Sequence, residues 1–300
     1  MARSAGGAST GLVLIALAAI TWGTTGTVLK LAGAGAGAAP LVLGASRLAV
    51  AAPLLLGAAV VTRAPLRRPG WAFLPAGLCI AAYQLTYFAA VPRAGVAATA
   101  LLAICSAPLF VAALAWMLLG ERPGRAGLGA LGLGAAGGAL LVAGSGHPGP
   151  TFAAGAALAL AAGFVYSLYV VASKRGLAGA DPRALAALTF ATAAIALAPV
   201  LIANASGTAA LWRGAWPLVL YLGAVPTAIA YWLYTAGLRR VPAASATIAG
   251  LLEPLTATVL GLSLFAERLA PAGWFGAVLL LAAVALLAER KRAPLRGARP

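Results

Sequence analysis

Ten nearly uncharged stretches, each about 20 residues long, alternate with short polar breaks along this chain. They fall at 12–31, 41–61, 71–91, 96–119, 126–143, 152–171, 184–202, 216–238, 243–265 and 274–287. The apolar positions run continuously instead of alternating with polar ones. The pattern therefore predicts membrane-spanning α-helices and excludes a transmembrane β-barrel. The first stretch contains Trp22 and continues to Lys30. A cleavable leader has a shorter apolar core, so this stretch is expected to stay as the first span. Composition points the same way. The chain is 63% hydrophobic and 9% charged, whereas soluble domains carry about 25% charged residues.

The fourth and ninth stretches carry nearly the same message. Ala107-Pro108-Leu109 leads to Gly120-Glu121-Arg122, and Glu253-Pro254-Leu255 leads to Ala266-Glu267-Arg268. The spacing from Pro108 to Glu121 equals that from Pro254 to Glu267. An internal repeat within a membrane-grade composition is the mark of a transporter built from two halves. Five spans per half is an odd number, so the second half must cross the membrane in the opposite sense. The expected architecture is an all-α integral membrane protein of ten transmembrane helices in two inverted five-helix repeats, 10–144 and 151–289, followed by a basic tail, 290–300. The connection 145–151 is short and holds Gly146, Pro148, Gly149 and Pro150.

Charge adds orientation. The formal net charge is +16, but the basic residues sit in short loops, so a nucleic-acid partner is not expected. If the spans alternate, one side holds Arg3, Arg63, Arg67, Arg68, Arg122, Arg125, Lys174, Arg175, Arg183, Arg239, Arg240, Arg290, Lys291, Arg292, Arg296 and Arg299. The other holds only Lys30, Arg93, Arg213 and Arg268, and Arg47 alone lies within a span. The asymmetry puts both termini in the cytoplasm and the protein in the cytoplasmic membrane. The basic tail is suited to contact with anionic lipid. Trp71, Trp116, Trp216 and Trp274 lie at span ends, as interface anchors should.

The chain resembles the drug/metabolite transporter superfamily, and within it the EamA family. Thr21-Trp22-Gly23-Thr24 with Lys30 is similar to the family's first-helix signature, and Arg47 to an arginine early in the second helix. Ser106-Ala107-Pro108-Leu109-Phe110 with Gly120-Glu121-Arg122 is similar to the fourth-helix signature. Leu252-Glu253-Pro254-Leu255 with Glu267-Arg268-Leu269 is similar to its second copy. The resemblance implies a central cavity lined by helices of both halves and export of small metabolites, such as amino acids, or of drugs. The small multidrug relatives use a glutamate in their first helix. Span one here has no acid, so their cation–proton exchange does not carry over directly.

Several residues are candidates for the substrate path or for coupling. Glu253 lies near the middle of span nine, where an ionised carboxylate costs at least about 2.5 kcal/mol. Such a site favours the protonated form, and Glu253 is expected either to carry a proton or to meet a substrate ammonium. The structural alternative is a carboxyl bonded to backbone freed by Pro254, or paired with Arg47. Ala107 at the matching place in the first half favours that alternative. Arg47 would either snorkel outward, hold a substrate carboxylate, or pair with Glu253. Pro108 and Pro254 each remove a backbone donor and should bend helices four and nine. Tyr83, Gln84 and Tyr87, then Tyr166 and Tyr169, then Tyr231, Trp232 and Tyr234 have helical spacing that puts rings on common faces. These faces, with mid-span Trp22, are expected to line the path or, near span ends and notably at Tyr234, to anchor at the interface. Glu121-Arg122 and Glu267-Arg268 read as caps and interface ion pairs. Gly134 and Gly138 have GxxxG spacing and would pack helices inside one chain or join two chains in a homodimer.

Other classes find little support. Cys79 and Cys105 lie in apolar runs and give neither a disulfide framework nor zinc spacing. No HExxH or GxxxxGK[ST] pattern occurs, no serine sits in a GxSxG elbow and His147 is the only histidine, so neither enzyme chemistry, ATP drive, metal nor cofactor is expected. The sequence points to a secondary carrier that exports a small organic metabolite by alternating access, with proton coupling suggested by Glu253. The rival is a non-transporting lipid-handling or scaffold protein on the same fold.

Overall fold

The computed structural model describes residues 5–31, 40–66, 70–143, 150–265 and 270–289. Glu267, Arg268, the connection at 145–149 and the tail 290–300 lie outside the described residues. The order is α1 (Ala5–Leu31), α2 (Pro40–Val61), a 3₁₀ turn (Gly70–Ala72), α3 (Phe73–Ala94), α4 (Val96–Leu119), α5 (Arg125–Ala143) and α6 (Phe152–Gly176). There follow α7 (Pro182–Ala203), α8 (Ala205–Gly223), a π-helical segment (Ala224–Ile229), α9 (Ala230–Leu238), α10 (Ala243–Ala249), α11 (Leu252–Phe265) and α12 (Pro271–Glu289). The chain is an all-α, multi-pass membrane protein. Among the described residues nine helical spans are long and apolar enough to cross a bilayer, and a tenth apolar helix is shorter. The four interfacial tryptophans are all more than half exposed, as lipid-facing anchors require.

Helix boundaries follow from local chemistry. Gly120, in the left-handed conformation (φ 68°), ends α4 and its N–H bonds back to the Ala115 carbonyl. Asp181 accepts from the Arg183 N–H and, with Pro182 behind it, starts α7.

The eighth and ninth spans differ from the single helices expected. The ninth breaks between Ala249 and Leu252. Pro254 offers no N–H to the Gly250 carbonyl, which instead accepts from Glu253 N–H at 2.9 Å, while Leu251 N–H turns to the Ile248 carbonyl at 3.1 Å. These tighter bonds end one helix and start the next. Helix α4 runs unbroken through Pro108. The residue four places before Pro108 is Ile104, whereas the one before Pro254 is Gly250, which resists unwinding least. The eighth span contains Pro226 within a π-helical segment. Thr227 Oγ1 donates to the Leu222 carbonyl at 2.6 Å, the acceptor that Pro226 leaves without its usual donor. The same span begins earlier than expected. Residues from Ala205 are already helical, and a kink at Ala215 (φ −141°), just ahead of Pro217, separates this arm from the membrane stretch.

Close helix crossings recur in both halves. A Cβ built on Gly11 would lie 2.8 Å from Arg240 Cβ, at the end of α9; one on Gly155 would lie 2.7 Å from Ala94 Cβ, at the end of α3. A Cβ on Gly223 would lie 2.9 Å from the Arg47 carbonyl oxygen, and one on Gly77 would lie 2.6 Å from that of Thr189. Gly137 on α5 and Gly276 on α12 each hold the other's carbonyl oxygen 2.7 Å from where a Cβ would stand. Gly134 and Gly138 are taken up inside the chain, against Leu251 and Cys105.

Candidate functional site

Aromatic residues from five helices meet in one continuous chain of rings. Tyr87 lies 5.5 Å from Tyr83 between ring centroids, Tyr83 5.6 Å from Tyr166, and Tyr166 5.5 Å from Tyr169. Tyr169 lies 5.9 Å from Tyr231, which is 4.9 Å from Trp22 and 4.5 Å from Phe190. Each tyrosine pair on one helix is three or four residues apart, so both rings leave the same face. Tilted and edge-on geometries are the favoured ones for such pairs.

The sequence candidates Trp22, Tyr83, Tyr87, Tyr166, Tyr169 and Tyr231 all belong to this wall. Gln84 does not. It is fully buried and its amide donates to the Gly44 carbonyl of α2 at 3.3 Å, so it joins α3 to α2. Tyr234 is a correction in the other direction. It is 1% exposed, so it is no interface anchor, and it lies 5.3 Å from Trp22 and stacks on Tyr169 at 6.5 Å. Its three-residue spacing from Tyr231 carried that signal. Phe190 on α7 was missed, since a lone phenylalanine in an apolar run carries none.

The first-helix signature finds its explanation beside Glu253. Gly23 brings α1 onto α11, and a Cβ there would lie 2.7 Å from the Glu253 carbonyl oxygen. Trp22 is thereby directed to the ring wall. The matching crossing in the second half joins α6 to α4, where Ser167 Oγ donates to the Ala107 carbonyl at 3.2 Å. Glu253 stands in the first turn of α11, where the helix dipole favours an anion.

Arg47 and Glu253 act on each other electrostatically, and both act on Tyr83, Tyr87 and Tyr231. Among the described residues they form no ion pair with each other; the pair present is Asp181–Arg183 at 2.9 Å. Among the described residues Arg47 Nε and Trp22 Nε1 are buried without a hydrogen-bond partner. The site thus holds one guanidinium and one carboxyl that form no direct ion pair, set against an aromatic wall.

The wall is graded in exposure. Trp22, Tyr169, Tyr231 and Tyr234 are buried; Tyr83, Tyr87 and Tyr166 are half-buried. The buried end lies toward the face where loops rich in arginine meet. On that face Lys174 Nζ donates to the carbonyls of Leu238, at 2.6 Å, and Val241. Glu121 caps α10 of the other half, accepting from Ala243 N–H at 2.7 Å. Arg175 and Arg183 reach the carbonyls of Leu118 and Thr62. On the opposite face Thr151 bonds the Arg93 carbonyl.

Comparison with known proteins supplies a family. The model of the EamA-like transporter family matches twice, over residues 9–143 and 153–288. The chain is 35% identical over 283 residues to the uncharacterized transporter YwfM of Bacillus subtilis, covering 93% of this chain and 94% of that one. It is 31% identical over 282 residues to a probable terminal-alkyne amino-acid exporter of Streptantibioticus cattleyicolor, covering 92% of each. A protein of known crystal structure shares the fold with a TM-score of 0.76 at 23% identity, over 95% of this chain and 99% of its own.

Proposed function

The chain belongs to the EamA-like transporter family, and from that premise we propose that it exports a zwitterionic amino acid, or a close relative of one, across the cytoplasmic membrane. It is a secondary carrier and not an enzyme. The single observation that carries this reading is the placement of Arg47 and Glu253, which form no ion pair with each other among the described residues, beside an aromatic wall. Arg47 suits a substrate carboxylate, which its planar fork can grip through two bonds. Glu253 suits a substrate ammonium when ionised and a proton when not. The rings accept an apolar or aromatic side chain. A sugar phosphate would need more buried positive charge than Arg47 offers. The similarity to a probable amino-acid exporter points the same way.

Two inverted repeats, 10–144 and 151–289, supply the mechanism. The recurrent crossings support them: Gly11 with Gly155, Gly77 with Gly223, Gly23 with Ser167, and the reciprocal Gly137 and Gly276. In this correspondence Thr189 takes the place of Arg47, and Ala107 that of Glu253. The backbone is repeated while the two charges are not, which suits a symmetric machine with an asymmetric ligand. Rocking of one half against the other would expose the site to each side in turn. The buried rings and polar clasps on the arginine-rich face fit a conformer closed on that side. The excess of Lys and Arg assigns that side, with both termini, to the cytoplasm.

The test is flux in proteoliposomes under an imposed pH gradient, with labelled amino acids and cationic dyes offered together. Gradient-driven movement of the amino acids, saturable and lost in Arg47→Ala, supports the reading. Movement of the dyes alone replaces the substrate class. No flux of any member, in protein shown to be folded, favours a non-transporting role.

A further inference from the structure

We propose that the arginine-rich face carries a binding site for the phosphate headgroup of an anionic membrane lipid. A recess of about 540 Å³ opens there between the start of α1, the start of α7 and the end of α9, lined among others by Gly7, Asp181, Arg183, Trp232, Arg239 and Arg240. It stands apart from the aromatic wall. Next to it α1 and α9 approach closely: a Cβ on Gly237 would lie 2.7 Å from the Gly11 carbonyl oxygen, and Gly11 itself receives the Arg240 stem. Gly7 and Ala8 leave the mouth free of bulk on the α1 side.

The charge in the recess is positive after its internal pairing is counted. Asp181 is occupied by Arg183, through two side-chain bonds of 2.9 Å, and by the start of α7. Arg239 and Arg240 are exposed and have no carboxylate partner among the described residues. Arg240 Nη1 bonds the Ala236 carbonyl at the end of α9, which fixes its stem and leaves the rest of the guanidinium available. Two adjacent arginines at a membrane surface supply the bidentate donors that a phosphodiester accepts. Trp232 adds a ring with a polar edge, suited to the junction of headgroup and acyl chain.

The loop-orientation rule accounts for basic residues on this side. It does not account for a recess around them. The repeat-related crossing on the other face meets Ala94 and Arg93, a single basic residue, where this one carries Arg239 and Arg240 side by side. A free inorganic anion shares the chemistry. The location at a membrane surface, with Trp232 in the wall, selects the lipid.

Native mass spectrometry of the full chain in a neutral detergent tests this, with phosphatidylglycerol, phosphatidylcholine and inorganic phosphate as probes. One phosphatidylglycerol should be retained in preference to phosphatidylcholine. R239A/R240A should weaken that binding about 30-fold, as expected for two basic contacts at a membrane surface. R239K/R240K should keep most of it, and K291A/R292A, which alters the tail instead, should leave it unchanged. Unaltered binding in R239A/R240A, or equal retention of phosphatidylcholine, would overturn the site. Displacement of the lipid by equimolar inorganic phosphate would overturn its assignment to lipid.

Discussion

At the scale of single residues, Arg47 and Glu253 are ionisable groups inside the spans that form no ion pair with each other among the described residues. Glu253→Gln keeps the shape and removes the titrating group. The variant should bind the substrate ammonium more weakly and lose acceleration by a pH gradient, measured as the ratio of flux with and without the gradient. Full gradient dependence in Glu253→Gln would end the coupling role. Arg47→Ala should raise the substrate concentration for half-maximal flux about 10- to 100-fold, the range for losing hydrogen bonds to a charged group. Asp181 illustrates a purely structural charge. Bonds from Arg183 hold its carboxyl below the usual range. Its contribution is therefore complete above the ordinary aspartate value of about 4 and is lost as pH falls through the lowered folded value. Asp181→Ala should cost about 1 kcal/mol of thermal stability near neutral pH, and the difference from the parent should shrink on acidification below about pH 4.

At the scale of helices, packing depends on glycines whose partners lie far away in sequence. Gly276→Ala would drive a methyl into the Gly137 carbonyl and should destabilise by about 1–3 kcal/mol in a detergent unfolding titration. Gly132→Ala faces open space and should be neutral or slightly stabilising. Ten apolar stretches were legible because the bilayer demands continuous runs, and α4 begins and ends where its run does. The GxxxG spacing of Gly134 and Gly138 was legible too. The reciprocal contact of Gly137 with Gly276 was not, because a glycine carries no sign of which backbone approaches it. The break in the ninth span lay between a visible cause, Pro254, and an outcome that also needed Gly250. The repeated Pro108 kept its helix intact, so the motif alone could not decide. For the site, periodicity found the tyrosine faces but could not tell Gln84, turned into a helix contact, from its neighbours Tyr83 and Tyr87.

At the scale of the whole molecule, the account needs one face closed while the other opens. Lys174 stands at the arginine-rich face, bonded to carbonyls that end α9 and precede α10. Lys174→Met removes those bonds. It should speed hydrogen exchange of backbone amides across 238–249 while leaving α5 and α12 unchanged. Unaltered exchange there would remove Lys174 from the closure.

The central claim is that the site reads a carboxylate and an ammonium together. Counterflow in proteoliposomes tests it most directly, comparing one amino acid with its carboxamide and with the corresponding deaminated acid. Exchange of the intact zwitterion is expected, with each altered compound at least about tenfold slower, since each leaves one polar group of the site unanswered. Equal exchange of either altered compound would contradict it.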